Sequence, residues 1–337
     1  MKVLFYSAKD YELPSLKESL PDSLPATFTP SALSIDTVSL ARGYDAVSIF
    51  TSDDASAQVL RGLALAGVRF VATRSAGFDH INMEAASEAG IRVAHVPDYS
   101  PHAIAEHAVA LMLALDRRLV RAAAQVAEND FTIDHLVGFN MHGKKVGIIG
   151  TGHIGATVAR ILDGFGCTLM AYDPAPDASL EERYNLFYTG LQTLCSMCDI
   201  ITLHLPLNPQ TRHIIGKKLI SGMKRGMMLI NTARGGILDT KEVIGALRTG
   251  QIGMFGMDVY EHERGLFFND WRGRNLDDPM LKELLSRDNV LLTPHLGFAT
   301  REAIAAISTV TCHCLATWAA GERAVNEIGL SGSAGLA

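Results

Sequence analysis

One stretch restricts the possible folds more than any other: KKVGIIGTGHIGATVARILDGFG, followed directly by CTLMAYD. An apolar β-branched run leads into the turn Gly150-Thr151-Gly152-His153-Ile154-Gly155, then a segment of helical period, then a second apolar run closed by Asp173. A glycine pattern alone says little, but strand, turn, helix, second strand and terminal acid in this order specify a βαβ unit with a dinucleotide-binding turn. Gly150 permits the tight turn, Gly152 lets a pyrophosphate approach the backbone, and Gly155 lets the helix pack against the strand. The helix N-terminus, with His153 contributing its backbone N–H, then faces the pyrophosphate. Asp173, eighteen residues beyond Gly155, is expected to accept hydrogen bonds from the ribose hydroxyls and to repel a 2′-phosphate, which favours NAD over NADP.

The rest of the chain extends this pattern. The runs KVLFYSA, AVSIFTS, RFVATRSAG and IRVAHVP precede the fingerprint, and DIITLHLPL, GMMLINTARG, GMFGMDVY and NVLLTPH follow it. Near-continuous apolar strands alternating with helices belong to parallel sheets covered on both faces, so the class is α/β with two Rossmann- or flavodoxin-like domains separated by a cleft. At 337 residues the chain suits two domains. Pro101 to Ala127 reads as one helix, capped by Ser100, and the domain change is placed there. A last helix, roughly Ala299 to Ala320, is available to cross back to the first domain. The tail SGSAGLA reads as frayed.

Composition excludes several partners. The net charge of −6 has its lysines and arginines scattered, so there is no footprint for nucleic acid. No apolar run is long enough for a membrane span, and the N-terminus reads as a first strand, which gives a cytoplasmic, membrane-free expectation. Cys195 and Cys198 form C-x-x-C and Cys312 and Cys314 form C-x-C, but both pairs sit in helix-like apolar segments. They read as small buried residues, with no metal site expected. His102 and His107 are five apart, which turns them away from one another on a helix, so they read as packing residues.

Three loops, each after a strand, carry the remaining chemistry: NTARGG with Arg234, DVYEHERGLFF with Asp258, Glu261 and Glu263, and TPHLGF with His295. Ligands of open α/β sheets bind beyond the carboxyl ends of strands. Reducing a 2-oxo acid needs a cation to grip the carboxylate and polarise the carbonyl, and an acid to protonate the new alkoxide. Arginine offers a bidentate fork. A histidine bonded to a carboxylate such as Glu263 is expected to titrate higher than usual and so to remain a proton donor at neutral pH.

The succession GTGHIG, YDP, HLPL, NTARGG, DVYEHE and TPH resembles the D-isomer-specific 2-hydroxyacid dehydrogenase family over nearly the whole chain. RSAGFDHIN, VPDYSPHAIAEHAV and DVYEHERGLFF resemble its fermentative D-lactate dehydrogenase branch. The resemblance implies that Arg234 binds substrate, Glu263 tunes the histidine and His295 is the acid/base. It implies Asp258 on the nicotinamide side, Leu205, Pro206, Thr211, Thr232 and Ala233 lining the cofactor, and Ala76, Gly77 and Tyr99 touching substrate, the first two through backbone N–H groups. It also implies a substrate domain of residues 1–98 plus 297–337 around an NAD domain of residues 99–296, with hinges near Asp98 and His295.

One departure stands beside the acid/base. Leu296-Gly297 occupies the place where the lactate branch commonly has glutamine then alanine. A small pocket difference shifts preference only about 10- to 200-fold, so pyruvate leads and other short 2-oxo acids follow. A phosphorylated substrate would need further cations, and the first domain offers only Arg74 near the backbone site. A non-enzymatic NAD-sensing role is the reading from another class, disfavoured because no tail rich in interaction motifs is seen. The apolar faces of the 101–127 helix suggest a homodimer or higher homo-oligomer.

Overall fold

The structure, a computed structural model, describes residues 1–329, and the tail SGSAGLA lies outside the described residues. The chain forms two compact units, Met1–Ser100 with the segment from Ala299 onward, and Pro101–Phe298. The boundaries read from the sequence, at 98 and 296, fall two residues before these.

The first unit is built on five parallel strands, β1 (Val3–Phe5), β2 (Ala26–Phe28), β3 (Ala46–Ile49), β4 (Phe70–Thr73) and β5 (Arg92–Ala94), in the order β2-β1-β3-β4-β5. That is the flavodoxin-like order. The sequence reading missed β2. It is a three-residue edge strand between Pro25 and Pro30, too short for periodicity and formed only because its backbone pairs with β1. Covering one face is the helix Arg301–Ala319, which buries Cys312, Leu315 and Trp318 against Val3, Phe5 and Ala72. The Trp318 ring stacks on Phe70 at 5.0 Å.

Seven parallel strands form the second unit: β6 (Lys145–Ile149), β7 (Thr168–Tyr172), β8 (Phe187–Tyr188), β9 (Ile200–Leu203), β10 (Met227–Asn231), β11 (Ile252–Met257) and β12 (Val290–Leu292). Their order is β12-β11-β10-β9-β6-β7-β8. The strand order reverses between β6 and β9, the topological switch point where such sheets hold ligands. Val146 and Ile148 enter one apolar cluster and Ile149 the other, so period-2 alternation of a fully apolar strand fills both faces.

The single helix expected over Pro101–Ala127 is two, Pro101–Asp116 and Leu119–Ala127. The break has no glycine or proline. Arg118 takes a left-handed φ of +51°, and the buried Asp116 carboxylate accepts the Phe139 N–H at 2.6 Å instead of facing solvent. A long-range backbone partner, invisible in local periodicity, sets that end.

The cysteine pairs pack in separate units, Cys195 and Cys198 in one core and Cys312 and Cys314 in another. Burial pushes the Cys195, Cys198 and Cys312 thiols up to about 12. His102 and His107 take different partners, Arg160 and the Thr293–Asp258 pair.

Arg74 is fully buried. Its guanidinium donates to both Glu12 oxygens at 3.0 and 3.1 Å, to Ser48 Oγ and to the Tyr6 carbonyl. Such a pair holds the β1, β3 and β4 ends together, but removing one partner strands a charge in a low-dielectric core. Glu12→Ala is therefore expected to destabilise the first unit by about 3 to 5 kcal/mol. The combined Glu12→Leu, Arg74→Met chain should recover most of that loss. Urea unfolding followed by Trp318 fluorescence in a Trp271→Phe background measures both.

Candidate active site

The glycine turn sits at the switch point. Gly150, at φ +94°, packs so closely that a Cβ there would lie 2.6 Å from the carbonyl oxygen of His204, just past β9. A Cβ on Gly155 would overlap the Gly150 carbonyl, whereas one on Gly152 would meet no atom within 4 Å. The turn is thus tight on its protein side and open in front of the helix His153–Gly164, as an approaching pyrophosphate requires.

Asp173 follows β7 directly. Its Oδ2 accepts the Thr151 N–H at 2.7 Å and its Oδ1 the Ala175 N–H at 2.9 Å, so the carboxylate is pinned to the glycine turn. Each oxygen retains a lone pair for a ribose hydroxyl. Tyr188, unremarked in the sequence, donates from its hydroxyl to Thr151 Oγ1 at 2.9 Å and braces the same turn.

The loop beyond β9 carries Leu205 and Pro206. Thr211 spends its hydroxyl on the Pro206 carbonyl at 2.6 Å and so closes this loop. Desolvation pushes the His204 imidazole down to about 3 and keeps it neutral. After β10, Asn231 bonds the Arg234 carbonyl and the Ala233 N–H, folding Thr232, Ala233 and Arg234 into a fixed turn. The Arg234 guanidinium donates to the Ala233 carbonyl at 2.8 Å. Gly235 is required there, since a Cβ would overlap the Tyr260 backbone.

Arg234, Glu263 and His295 lie on loops following β10, β11 and β12, three strands adjacent in one sheet. His295 Nδ1 donates to Glu263 Oε1 at 2.8 Å, and Glu263 Oε2 accepts the Tyr260 N–H at 2.8 Å. The carboxylate therefore fixes the imidazole and leaves Nε2 as its outward nitrogen. His295 has a left-handed φ of +55°, a conformation that a non-glycine residue holds only when its surroundings impose it.

Asp258 imposes it. The residue is 2% exposed. Its Oδ1 accepts the Thr293 hydroxyl at 2.6 Å and the Leu296 N–H at 2.9 Å, and its Oδ2 accepts the Gly297 N–H at 2.8 Å. His107 Nε2 stands 3.3 Å from the same carboxylate and 3.0 Å from Thr293 Oγ1. Burial alone would raise the Asp258 carboxyl, but the bonds from His107, Thr293 and Leu296 outweigh it and hold the group below its usual range. A Cβ at Gly297 would lie 3.0 Å from Asp258 Oδ2, so the departure at this position relieves a crowded contact.

The acids of the DVYEHE loop thus part company. Glu261 bonds His213 at 2.5 Å and the Thr240 hydroxyl at 2.8 Å, away from the Glu263–His295 pair. The sequence reading passed over His107 as a packing residue and did not single out Phe268, whose ring lies 5.8 Å from that of His295. His107 carries no local signal, because it reaches the site from a distant part of the chain, whereas Phe268 closes the DVYEHERGLFF loop five residues past Glu263. Ala76, Gly77 and Tyr99 belong to the first unit.

The residues present fit a dinucleotide. Besides the open cradle at Gly152, Thr232 Oγ1 and His204 Nδ1 are buried without a hydrogen-bond partner among the described residues, and the register of β9 and β10 places these two residues side by side. Unsatisfied buried polar atoms at a strand end signal a polar ligand.

Comparison with known proteins agrees. Residues 109–297 match the family model described as D-isomer specific 2-hydroxyacid dehydrogenase, NAD binding domain. The chain is 41% identical to the D-lactate dehydrogenase of Escherichia coli (strain K12), over 97% of this chain and 100% of that protein. It is also 41% identical to D-lactate dehydrogenase kk1H of Curvularia clavata, over 97% and 95%. The solved structure described as the pyruvate reductase of Chlamydomonas reinhardtii superposes with a TM-score of 0.91 at 42% identity, covering 97% of this chain and 98% of that one. The chain belongs to the D-isomer specific 2-hydroxyacid dehydrogenase family, NAD-dependent oxidoreductases that act on the CH–OH group of a 2-hydroxy acid.

Proposed function

We propose that this enzyme reduces pyruvate to D-lactate with NADH, and that the same groups run the reverse oxidation. The observation that carries the reading is the 2.8 Å bond between His295 and Glu263, on loops neighbouring the one that bears Arg234. The relatives named for D-lactate dehydrogenase and the neighbour described as a pyruvate reductase support the choice of substrate. So does the engagement of Arg74 with Glu12, which leaves it unavailable to a substrate phosphate.

NADH, when bound, supplies the hydride to the carbonyl carbon. The guanidinium of Arg234 pairs with the substrate carboxylate and polarises the carbonyl. His295, its Nδ1 committed to Glu263, donates a proton from Nε2 to the oxygen that becomes the hydroxyl, and recovers it in the oxidation. Asp258 serves by holding the His295 turn on the nicotinamide side. Gly150, Gly152 and Gly155, with the N–H groups of His153 and Ile154, receive the pyrophosphate, and Asp173 receives the ribose. Leu205, Pro206, Thr232 and Ala233 line the cofactor, and Thr211 shapes its loop. In the first unit, which we assign to substrate, the N–H groups of Ala76 and Gly77 and the side chain of Tyr99 are the contacts.

The working form is a homodimer. The helix Pro101–Asp116 packs into the core, but the next helix and the segment after it expose Leu119, Val120, Val126, Phe131, Ile133 and Val137, between 52% and 77% each. Exposed apolar side chains gathered in one segment support an association site. The protein's five free thiols, four of them buried, suit a reducing compartment such as the cytoplasm.

With NADH, kcat/KM on a panel of 2-oxo acids should rank pyruvate first, and a bulkier acid tenfold better would overturn the choice. His295→Ala should cost roughly 10²- to 10⁴-fold in kcat while the NADH Kd, read by fluorescence, stays near that of the parent. Asp173→Ala should cut the NADH-over-NADPH preference in kcat/KM at least about tenfold, since one repelled charge is worth that much. Sedimentation at micromolar concentration should give a dimer, and a monomer throughout would refute that assignment.

A further inference from the structure

The turn that follows β4 shows how its N–H groups are aimed. Ser75 accepts the Val96 N–H on its carbonyl at 3.1 Å, the Ala76 carbonyl meets His95 Nδ1 at 2.8 Å, and the Gly77 carbonyl accepts the Ser75 hydroxyl at 2.7 Å. No peptide bond among the described residues is cis. In a trans peptide the C=O of one residue and the N–H of the next point in opposite directions. Anchoring three successive carbonyls therefore turns the N–H groups of Ala76, Gly77 and Phe78 the other way. Among the described residues none of these three donates a hydrogen bond. Three consecutive unengaged N–H groups form a concavity suited to an anion.

We infer that His95 and Ser75 are positioning residues for the substrate carboxylate, acting through the backbone of Ala76 and Gly77; this rests on the proposed reduction of a 2-oxo acid. A carbonyl only accepts, so the hydrogen lies on His95 Nδ1. The ring is also held edge-on to Phe78, with centroids 5.2 Å apart. Ser75 has one hydroxyl hydrogen and gives it to Gly77, so Thr73 Oγ1, 2.7 Å from Ser75 Oγ, is the donor in that contact. Thr73, Ser75 and Gly77 thus form a relay running off the end of β4, and His95 grips the same turn from beyond β5. Without these bonds the peptide planes rotate freely and the N–H groups lose their common direction.

The test compares His95→Ala, His95→Asn and Ser75→Ala in the full-length enzyme, using pyruvate as substrate and oxamate as unreactive mimic. His95→Ala and Ser75→Ala should raise the pyruvate KM and the oxamate inhibition constant roughly three- to tenfold, the worth of one hydrogen bond. Their kcat and NADH Kd should stay within about twofold, as for a loss of uniform binding. In His95→Asn the amide nitrogen stands near the place of Nδ1, so KM should return to within about twofold of the parent. A wild-type KM in His95→Ala, or an Asn variant no better than Ala, overturns the inference while leaving the reaction intact. A parent enzyme that reduces no 2-oxo acid sinks the reaction and this inference together.

Discussion

A single buried carboxylate organises the loops at the carboxyl ends of β11 and β12 in the second unit. Asp258 collects two backbone N–H groups, a threonine hydroxyl and an imidazole, and by doing so binds the loop after β11 to the loop after β12. Its bonds on either side of His295 support the left-handed conformation that sets the ring beside Glu263. Burying a charge is costly unless it is fully bonded, and Asp258 meets that condition through groups drawn from two other parts of the chain, His107 and residues 293–297. The same saturation that makes the ion tolerable makes the turn rigid, and rigidity is what an acid/base needs to meet its substrate at hydrogen-bond distance.

A similar economy recurs elsewhere. Arg74 is satisfied by Glu12, Ser48 and a backbone carbonyl in the first unit, and Asp116 ends a helix by accepting a distant N–H in the second. Asn231 folds the Arg234 turn, and Asp173 pins the glycine turn. In each case a polar side chain at the end of a strand or helix reads the backbone of its neighbour. Parallel strands set about 4.8 Å apart bring those ends into line, so residues far apart in the chain become bonding partners. His95 and Ser75 apply the same device to the carbonyls after β4.

Much of this was legible beforehand. The glycine fingerprint, the near-continuous apolar strands and the terminal Asp173 are local patterns whose physical requirements are met within some thirty residues. Arg234, Glu263 and His295 could be named in advance because each sits just beyond a strand, because the chemistry of 2-oxo acid reduction calls for such groups, and because the family resemblance implies them. The edge strand β2 and the break at Arg118 were not legible, for they depend on backbone partners outside any local window. The acids of DVYEHE look alike in the sequence, yet Glu261 turns to His213 and Glu263 to His295. Arg74, in the sequence only a cation near the backbone site, is consumed by Glu12.

The sequence by itself determined the fold class, the cofactor and the residue types of the site, because each is written in a short-range pattern of hydrophobicity, glycine and charge. Only the tertiary structure decided that Glu261 turns to His213, that His107 and Thr293 support Asp258, and which carbonyls are anchored around Ala76. The reason is that hydrogen bonds depend on distances held to within a few tenths of an ångström between groups as far apart in the chain as His107 and Thr293, 186 positions, and no local pattern encodes such distances.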